Sequence, residues 1–221
     1  MPKLNLMSEA KNITMERNLE FFFDFMSPFA YLAHQKLPGL AEQFDLEITY
    51  RPVELKQLKL AAGNVSPGNR DIPLKLTYLK KDMERWAEKY GVPINFPSSL
   101  ESSLLNKGAY YALEKGKIQQ YVSEVWSETW GNGRQLDDQA VVLDVLDKFG
   151  WDEQDFIKFT ASDEAQDRYD DGTQYANHRG VFGVPTIAIG AEMWWGNDRL
   201  EILKEHLRPK QWCHFLGLNI I

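Results

Sequence analysis

The chain has 221 residues, of which 43% are apolar and 26% are charged, values typical of a globular protein. The 32 Asp and Glu residues outnumber the 25 Lys and Arg residues, and the net charge of −7 argues against nucleic acid or an anionic membrane as a partner. A single Cys excludes a disulfide framework and a CxxC redox pair, so we expect the cytoplasm as the compartment. We expect no membrane span, because the sequence lacks an apolar run of about 18 residues, and no signal peptide, because the first residues lack an apolar h-region and a small-residue cleavage site.

The first predicted element is a strand at residues 19–25, where LEFFFDF forms a nearly continuous apolar run typical of a strand buried on both faces. Ser27, a preferred N-cap residue, precedes a Pro and predicts the start of a helix. The Pro-Gly pair at residues 38 and 39 should kink or break that helix. Alternating apolar side chains at residues 45–51 predict a second strand, so the three elements form a βαβ unit with parallel strands.

The middle of the chain is predicted to be a long loop followed by helices. Residues 52–73 lose periodicity and gather Gly, Pro and Asn, which predicts a long and therefore functional loop. The helical period then returns and predicts helices at residues 74–90, 104–115, 118–129, 137–149 and 153–160.

The end of the chain returns to mixed structure. We predict a helix at residues 164–179, strands at 182–190 and 192–195, and a closing helix at 197–207. Pro185 lies inside the first of these strands, where it removes a ladder N–H and normally argues against a strand. The thioredoxin fold carries such a Pro, usually cis, at the start of this strand, beside the active helix.

These elements predict an α/β protein with a thioredoxin fold that is interrupted by an all-helical insertion domain. We expect a mobile N-terminal extension at residues 1–17, followed by the first part of the thioredoxin-like domain. The predicted boundaries are 18–73 for that first part, 74–163 for the helical insertion, and 164–221 for the second part with a C-terminal tail.

Four segments carry a family resemblance: DFMSPFAYLA at 24–33, AAGNVSPGNRD at 61–71, ERWAEKYGVPINFP at 84–97 and VFGVPTIAIGAEMWWGNDRL at 181–200. They resemble the 2-hydroxychromene-2-carboxylate isomerases, bacterial enzymes of aromatic degradation that are related to kappa-class glutathione transferases and DsbA-like proteins. The resemblance spans residues 19–207 and implies glutathione as the cofactor and a homodimer. The implied reaction interconverts 2-hydroxychromene-2-carboxylate and trans-o-hydroxybenzylidenepyruvate. The chain departs from the family after Pro97, where SSLESS replaces an Asn-rich segment with an aromatic residue.

Ser27 stands where thioredoxins carry their nucleophilic Cys. The residues alone indicate a helix N-cap. The resemblance implies a catalytic role, in which the Ser27 hydroxyl donates a hydrogen bond to the thiolate of bound glutathione. Both roles can coexist, because a helix N-terminus stabilises an anion and can lower the pKa of a thiol.

The resemblance also implies the remaining glutathione contacts. The backbone N–H and C=O of Val184 would pair with the cysteinyl unit of glutathione. Gly196, Asn197 and Asp198, with Trp195 adjoining them, would hold the γ-glutamyl end. The residues alone also allow a bulged edge strand at the first position and a helix cap at the last positions.

Lys59, Asn64, Asn69 and Arg70 lie in the predicted loop, where solvated polar residues are the default interpretation. Because the implied substrate is a carboxylate, the resemblance assigns Lys59, Asn69 and Arg70 to substrate binding. It assigns Asn64 to glutathione. The four His residues lack metal-ligand spacing, so we expect no metal site.

Two alternatives to the isomerase stay open. One is a kappa-class glutathione transferase that uses the same thiolate on other electrophiles, although the segment NVSPGNRD favours the isomerase. The other is a non-catalytic glutathione-binding module. A disulfide oxidoreductase is nearly excluded, because Ser27 and Ala30 occupy both cysteine positions.

Overall fold

The computed structural model describes residues 18–64 and 72–208. The predicted N-terminal extension, the predicted tail after residue 208, and Asn69 and Arg70 lie outside the described residues. The strands are β1 (Asn18–Phe23), β2 (Glu47–Pro52), β3 (Thr186–Ile189) and β4 (Glu192–Trp195). The helices are α1 (Pro28–His34), α2 (Leu37–Gln43), α3 (Leu55–Ala61), α4 (Pro73–Tyr90), α5 (Ser103–Glu114), α6 (Ile118–Trp126), α7 (Gln139–Phe149), α8 (Glu153–Thr160), α9 (Asp163–His178) and α10 (Leu200–Leu207).

The four strands form one mixed sheet in the order β2-β1-β3-β4. β1 runs parallel to β2 and antiparallel to β3, while β4 pairs antiparallel with β3 at the edge. The predicted βαβ unit is thus confirmed. The apolar residues of β1 are completely buried, as the run of Phe residues predicted.

The main core lies between the sheet and the helices of the insertion. Trp126 on α6 is fully buried and contacts the rings of Phe21, Phe23 and Phe25 at centroid distances of 6.3, 5.5 and 5.2 Å. Aromatic side chains contribute much of the buried apolar area here, which holds the insertion against β1. The fold is an α/β thioredoxin fold with an all-helical insertion. None of the helices in the described ranges combines the length and the apolar character that crossing a membrane requires.

The prediction of a continuous loop at residues 52–73 is wrong, because α3 forms within it. Leu55 and Leu58 are buried in a second, smaller apolar cluster that also contains Phe22 and Ala176. The residue before the helix gives no side-chain cap, and the caps come from distant parts of the chain. The N–H of Leu55 donates to Asp24 Oδ2 at 3.0 Å, and the N–H of Glu54 donates to Thr173 Oγ1 at 2.9 Å. A helix stabilised in this way carries little local signal in the sequence.

Two further elements are shorter than predicted. The strand expected at residues 182–190 covers only Thr186–Ile189, because Pro185 has no N–H with which to extend the ladder. The Val184–Pro185 peptide bond is cis, as the fold led us to expect. The helix expected to reach residue 129 ends at Trp126 and continues as a π-helical turn, Ser127–Gly131.

Candidate active site

A cavity of about 550 Å³ opens where the start of α1, α3, α4 and the segments around β3 and β4 meet. Its lining brings together most of the site residues that the sequence indicated: Ser27, Lys59, Val184, Trp195, Gly196, Asn197 and Asp198. These residues are separated by up to 171 positions in the chain, so the fold, and not the sequence, makes them neighbours.

Ser27 caps α1, as its position before a Pro predicted. The Ser27 Oγ accepts the N–H of Ala30 at 3.2 Å, and the backbone C=O of Ser27 accepts the N–H of Tyr31 at 3.1 Å. The residue is only 5% exposed and lies at the cavity wall. Because the cap uses the oxygen as an acceptor, the hydroxyl hydrogen stays available for donation to an anion in the cavity.

Val184 presents backbone groups to the same cavity. It precedes β3, and neither its N–H nor its C=O is bonded to another described residue. The chain around it is held by Thr186, whose Oγ1 donates to Gly183 O at 2.7 Å, and by Pro185 O, which accepts the N–H of Gly196 at 2.9 Å. This arrangement leaves a short edge that can pair with an extended peptide.

The turn after β4 supplies a buried amide and an exposed carboxylate. Asn197 is 3% exposed, and its Nδ2 has no hydrogen-bond partner among the described residues. Asp198 is exposed and pairs with the guanidinium of Arg199. Gly196 has φ +110, a conformation that side chains rarely adopt, and a Cβ there would collide with the Asp198 carboxylate. The turn therefore requires Gly at this position.

Trp195 forms an exposed rim of the cavity. Its ring packs edge-on against Phe182 at a centroid distance of 4.9 Å. A Cβ at Gly183 would lie 2.8 Å from Trp195 Nε1, so the absence of a side chain at Gly183 permits this close packing.

Lys59 reaches the cavity from α3, but Asn64 does not line it. Asn64 Nδ2 instead donates to the backbone C=O of Lys59 at 2.9 Å, which closes the C-terminal end of α3. The sequence analysis did not select Lys56, which also lines the cavity and forms an ion pair with Glu101 at 3.6 Å. Lys56 and Lys59 are three residues apart, which places them on one face of a helix. A prediction of α3 would therefore have drawn attention to Lys56 along with Lys59.

The opposite wall is apolar and was not identified from the sequence as part of a site. α4 contributes Leu76, Leu79, Met83 and Trp86. Below them, the rings of Phe96 and Trp130 meet edge to face at 6.0 Å, and both line the cavity. The four residues on α4 have the spacing of an ordinary core stripe, so the sequence carried no signal that this face of the helix borders a cavity.

Phe29 on α1 adds an aromatic side chain to the lining of the cavity. Tyr78 does not line it and is 61% exposed on α4. Within residues 18–64 and 72–208, no group of three or more His, Cys, Asp or Glu side chains could hold a metal ion.

Comparison with known protein families places the chain in a structural class. The model of the DSBA-like thioredoxin domain matches residues 18–208, which is most of the chain. The fold and this match together define a DSBA-like thioredoxin-domain protein.

Individual relatives identify the family within this class to which the chain belongs. The 2-hydroxychromene-2-carboxylate isomerase of Pseudomonas putida is 46% identical over 186 residues, which cover 84% of this chain and 92% of the relative. A solved structure of a 2-hydroxychromene-2-carboxylate isomerase matches with a TM-score of 0.82 and 45% identity, over 86% of this chain and 94% of that one. Glutathione S-transferase kappa 1 of Homo sapiens is 25% identical over 90% of this chain and 93% of its own length. The chain belongs to the 2-hydroxychromene-2-carboxylate isomerase family.

Proposed function

We propose that this protein is a glutathione-dependent isomerase that interconverts 2-hydroxychromene-2-carboxylate and trans-o-hydroxybenzylidenepyruvate in the degradation of naphthalene-type hydrocarbons. We further propose that it acts as a cytoplasmic homodimer. The observation that carries the proposal is that Ser27, Val184 and Asn197 line one cavity, which also has an apolar wall. The proposal is further supported by a relative named for this activity, to which the chain is 46% identical.

The polar groups of the cavity fit glutathione. The unpartnered Nδ2 of buried Asn197 can donate to the γ-glutamyl carboxylate, and a buried donor left without an acceptor is costly. The Asp198 carboxylate can accept the γ-glutamyl ammonium in exchange for part of its contact with Arg199. The backbone N–H and C=O of Val184 can pair with the cysteinyl unit, and Trp195 and Gly196 close the same side. Asn64, which does not line the cavity, stays a proposed glutathione contact.

Ser27 acts at the sulfur position. When bound, glutathione would supply a nucleophilic thiol for reversible addition to the conjugated double bond of the ring-opened substrate, so that the double bond is isomerised and glutathione itself is released unchanged. The Ser27 hydroxyl donates a hydrogen bond toward that sulfur while its oxygen keeps the N–H of Ala30. A hydrogen bond to the anionic form of an acid lowers the pKa of that acid, so Ser27 favours the thiolate of glutathione at neutral pH.

The substrate is proposed to bind between Lys59 and the apolar wall. Lys59, together with Asn69 and Arg70, which follow α3 in the sequence, is proposed to bind the carboxylate and to stabilise negative charge as it develops on the carbonyl oxygen. The rings of Phe96 and Trp130, which both line the cavity, are proposed to pack against the aromatic ring of the substrate.

The test is a spectrophotometric assay of the purified protein on 2-hydroxychromene-2-carboxylate, with glutathione added or thoroughly removed. We expect turnover to require glutathione and the free thiol concentration to stay constant over many turnovers. Equal turnover without glutathione, or stoichiometric loss of thiol, would contradict the proposal.

A kappa-class transferase is the second candidate, because the human kappa relative is similar over 90% of this chain. It would use the same thiolate but would consume glutathione in forming a conjugate. Side-by-side assays of isomerisation and of conjugation to a neutral halide decide between the two, and we expect isomerisation to be the faster reaction. Glutathione binding without turnover of either substrate would leave only a binding module.

A further inference from the structure

Behind the cavity, the side chain of Asp24 lies at the end of β1 and is 1% exposed. Its Oδ1 accepts hydrogen bonds from Met26 N at 3.0 Å, Ser102 Oγ at 2.6 Å and Asn106 Nδ2 at 2.9 Å. Its Oδ2 accepts the N–H of Leu55 at 3.0 Å. Burial raises the pKa of the Asp24 carboxyl, and these four hydrogen bonds oppose the shift. A buried carboxylate needs such a complete set of donors.

The donors belong to three different parts of the site. Met26 lies in the turn that leads into Ser27, and the N–H of Ser27 itself donates to Asp24 O at 2.9 Å. Leu55 is the first residue of α3, the helix that brings Lys59 to the cavity. Ser102 and Asn106 stand at the start of α5, in the insertion. One carboxylate therefore joins the turn of Ser27, the helix of Lys59 and the insertion.

The two oxygens of Asp24 have unequal support. The turn is held by further bonds, since Phe25 N donates to Asn106 Oδ1 at 3.2 Å and Trp130 Nε1 donates to Phe25 O at 2.8 Å. Leu55 N–H, in contrast, has no other acceptor among the described residues. Losing the Oδ2 acceptor should therefore loosen the first turn of α3, which keeps the bond from Glu54 N–H to Thr173 Oγ1, while the turn before Ser27 keeps its shape.

We propose that Asp24 is a positioning residue that fixes Lys59 relative to Ser27, and so sets the distance between the nucleophile and the carboxylate end of the substrate. The inference rests on the proposed function for the identity of the substrate. It assigns to Asp24 a role in substrate binding that acts through α3 and not through glutathione.

Asp24→Asn tests the role of Oδ2. An amide has one oxygen, and three donors converge on the Oδ1 position, so the oxygen of the new side chain will face them. Its NH2 group will then face the N–H of Leu55, and the two donors repel. We expect the KM for the aromatic carboxylate to rise about tenfold, as for the loss of a bond to a charged group. The affinity for glutathione, and the conjugation of a neutral halide, should change less than about twofold.

Ser102→Ala is the matched control. It removes one of the three donors to Oδ1 and leaves the bond between Oδ2 and Leu55 in place. We expect its KM to match the wild type. A tenfold rise in Ser102→Ala as well would overturn the proposal, because it would show a general loosening of the buried cluster.

A double-mutant cycle shows whether Asp24 acts through Lys59. In a Lys59→Ala background, Asp24→Asn should raise the KM less than about twofold, since the cation it positions is absent. Independent, fully additive effects would overturn the proposal. If the protein proves not to isomerise this substrate, the same cycle is read from binding of an aromatic carboxylate against a neutral aromatic amide. Failure of the positioning role thus stays distinct from failure of the proposed function.

Leu55→Pro covers the case in which Asp24→Asn does not fold. Pro is favoured at the first position of a helix, and the only backbone group that it removes is the N–H that donates to Asp24 Oδ2. The preceding Glu54 is already extended, as a residue before Pro must be. Leu55→Ala loses the same side-chain packing but keeps the N–H. We expect a higher KM for the carboxylate in Leu55→Pro than in Leu55→Ala, and equal values would overturn the proposal.

Discussion

The two walls of the cavity are built in opposite ways. The polar wall, defined by Ser27, Val184, Trp195, Asn197 and Asp198, consists of turns and helix starts fixed to the central sheet. The apolar wall, defined by Leu76, Leu79, Met83, Trp86, Phe96 and Trp130, comes from the helical insertion. The polar wall offers hydrogen-bond donors and acceptors at fixed positions, which suits a cofactor that is always the same molecule. The apolar wall offers area and shape, which suits discrimination among substrates.

Ser27→Ala is expected to have the largest effect, and it tests the polar wall. Loss of a positioned donor to a developing or bound anion costs on the order of 100-fold in kcat. The loss of the cap should cost only about 0.5–2 kcal/mol of stability. The pKa of the bound glutathione thiol, read by thiolate absorbance, should rise in the variant.

Ser162→Ala is the control for that substitution. Ser162 caps α9 through the same contact, accepting the N–H of Ala165 at 3.2 Å, and it does not line the cavity. Its loss should lower stability by a similar amount and leave kcat unchanged. Equal losses of activity in both variants would show that Ser27 serves only the helix.

Arg70→Met should have the next largest effect, and it separates substrate from cofactor. If Arg70 binds the substrate carboxylate, losing that charged hydrogen bond should cost about 1.5–3 kcal/mol in kcat/KM. Conjugation of a neutral electrophile should be nearly unaffected. Asp198→Asn should behave oppositely, weakening glutathione binding and damaging both reactions equally. Equal losses on charged and neutral electrophiles in Arg70→Met would assign Arg70 to glutathione binding or to the fold.

The buried His34 makes the stability of the fold depend on pH. His34 at the end of α1 is 3% exposed, its Nε2 lies 3.0 Å from the Tyr50 hydroxyl, and burial lowers its pKa to about 3. The unfolded chain therefore binds a proton below about pH 6.5 that the folded chain refuses, so stability falls as the pH falls through the range from 6.5 to 3.

Between pH 6.5 and 5 the loss from His34 should be about 1.6 kcal/mol. Urea unfolding of the wild type and of His34→Gln at these two pH values measures it, because Gln does not titrate. We expect the wild type to lose about 1.6 kcal/mol more than the variant over this range. A parallel loss in both proteins would refute the assignment.

The two walls also differ in how much of them the sequence predicted. A local pattern predicted one part of the polar wall, since Ser27 before a Pro predicted its own cap. The thioredoxin fold led us to expect the cis bond at Pro185, and the family resemblance implied Val184, Asn197 and Asp198. α3 was missed because its N-terminus is capped by Asp24 and Thr173, which are distant in the chain. Leu76 and Trp86 follow a normal helical period, and only the tertiary fold decides that this face borders a cavity.

Trp86→Ala should have the smallest effect, and it tests the apolar wall alone. Trp86 lines the cavity from α4, while Tyr78 on the same helix is exposed and does not. Losing an aromatic contact is worth about 0.5–1.5 kcal/mol, so the KM for the aromatic substrate should rise several-fold, with glutathione affinity unchanged. Tyr78→Ala provides the control, since it removes an aromatic ring from α4 without changing the lining. If Trp86→Ala instead weakened glutathione binding, the two walls would share the cofactor, and the division of the cavity into a cofactor side and a substrate side would be wrong.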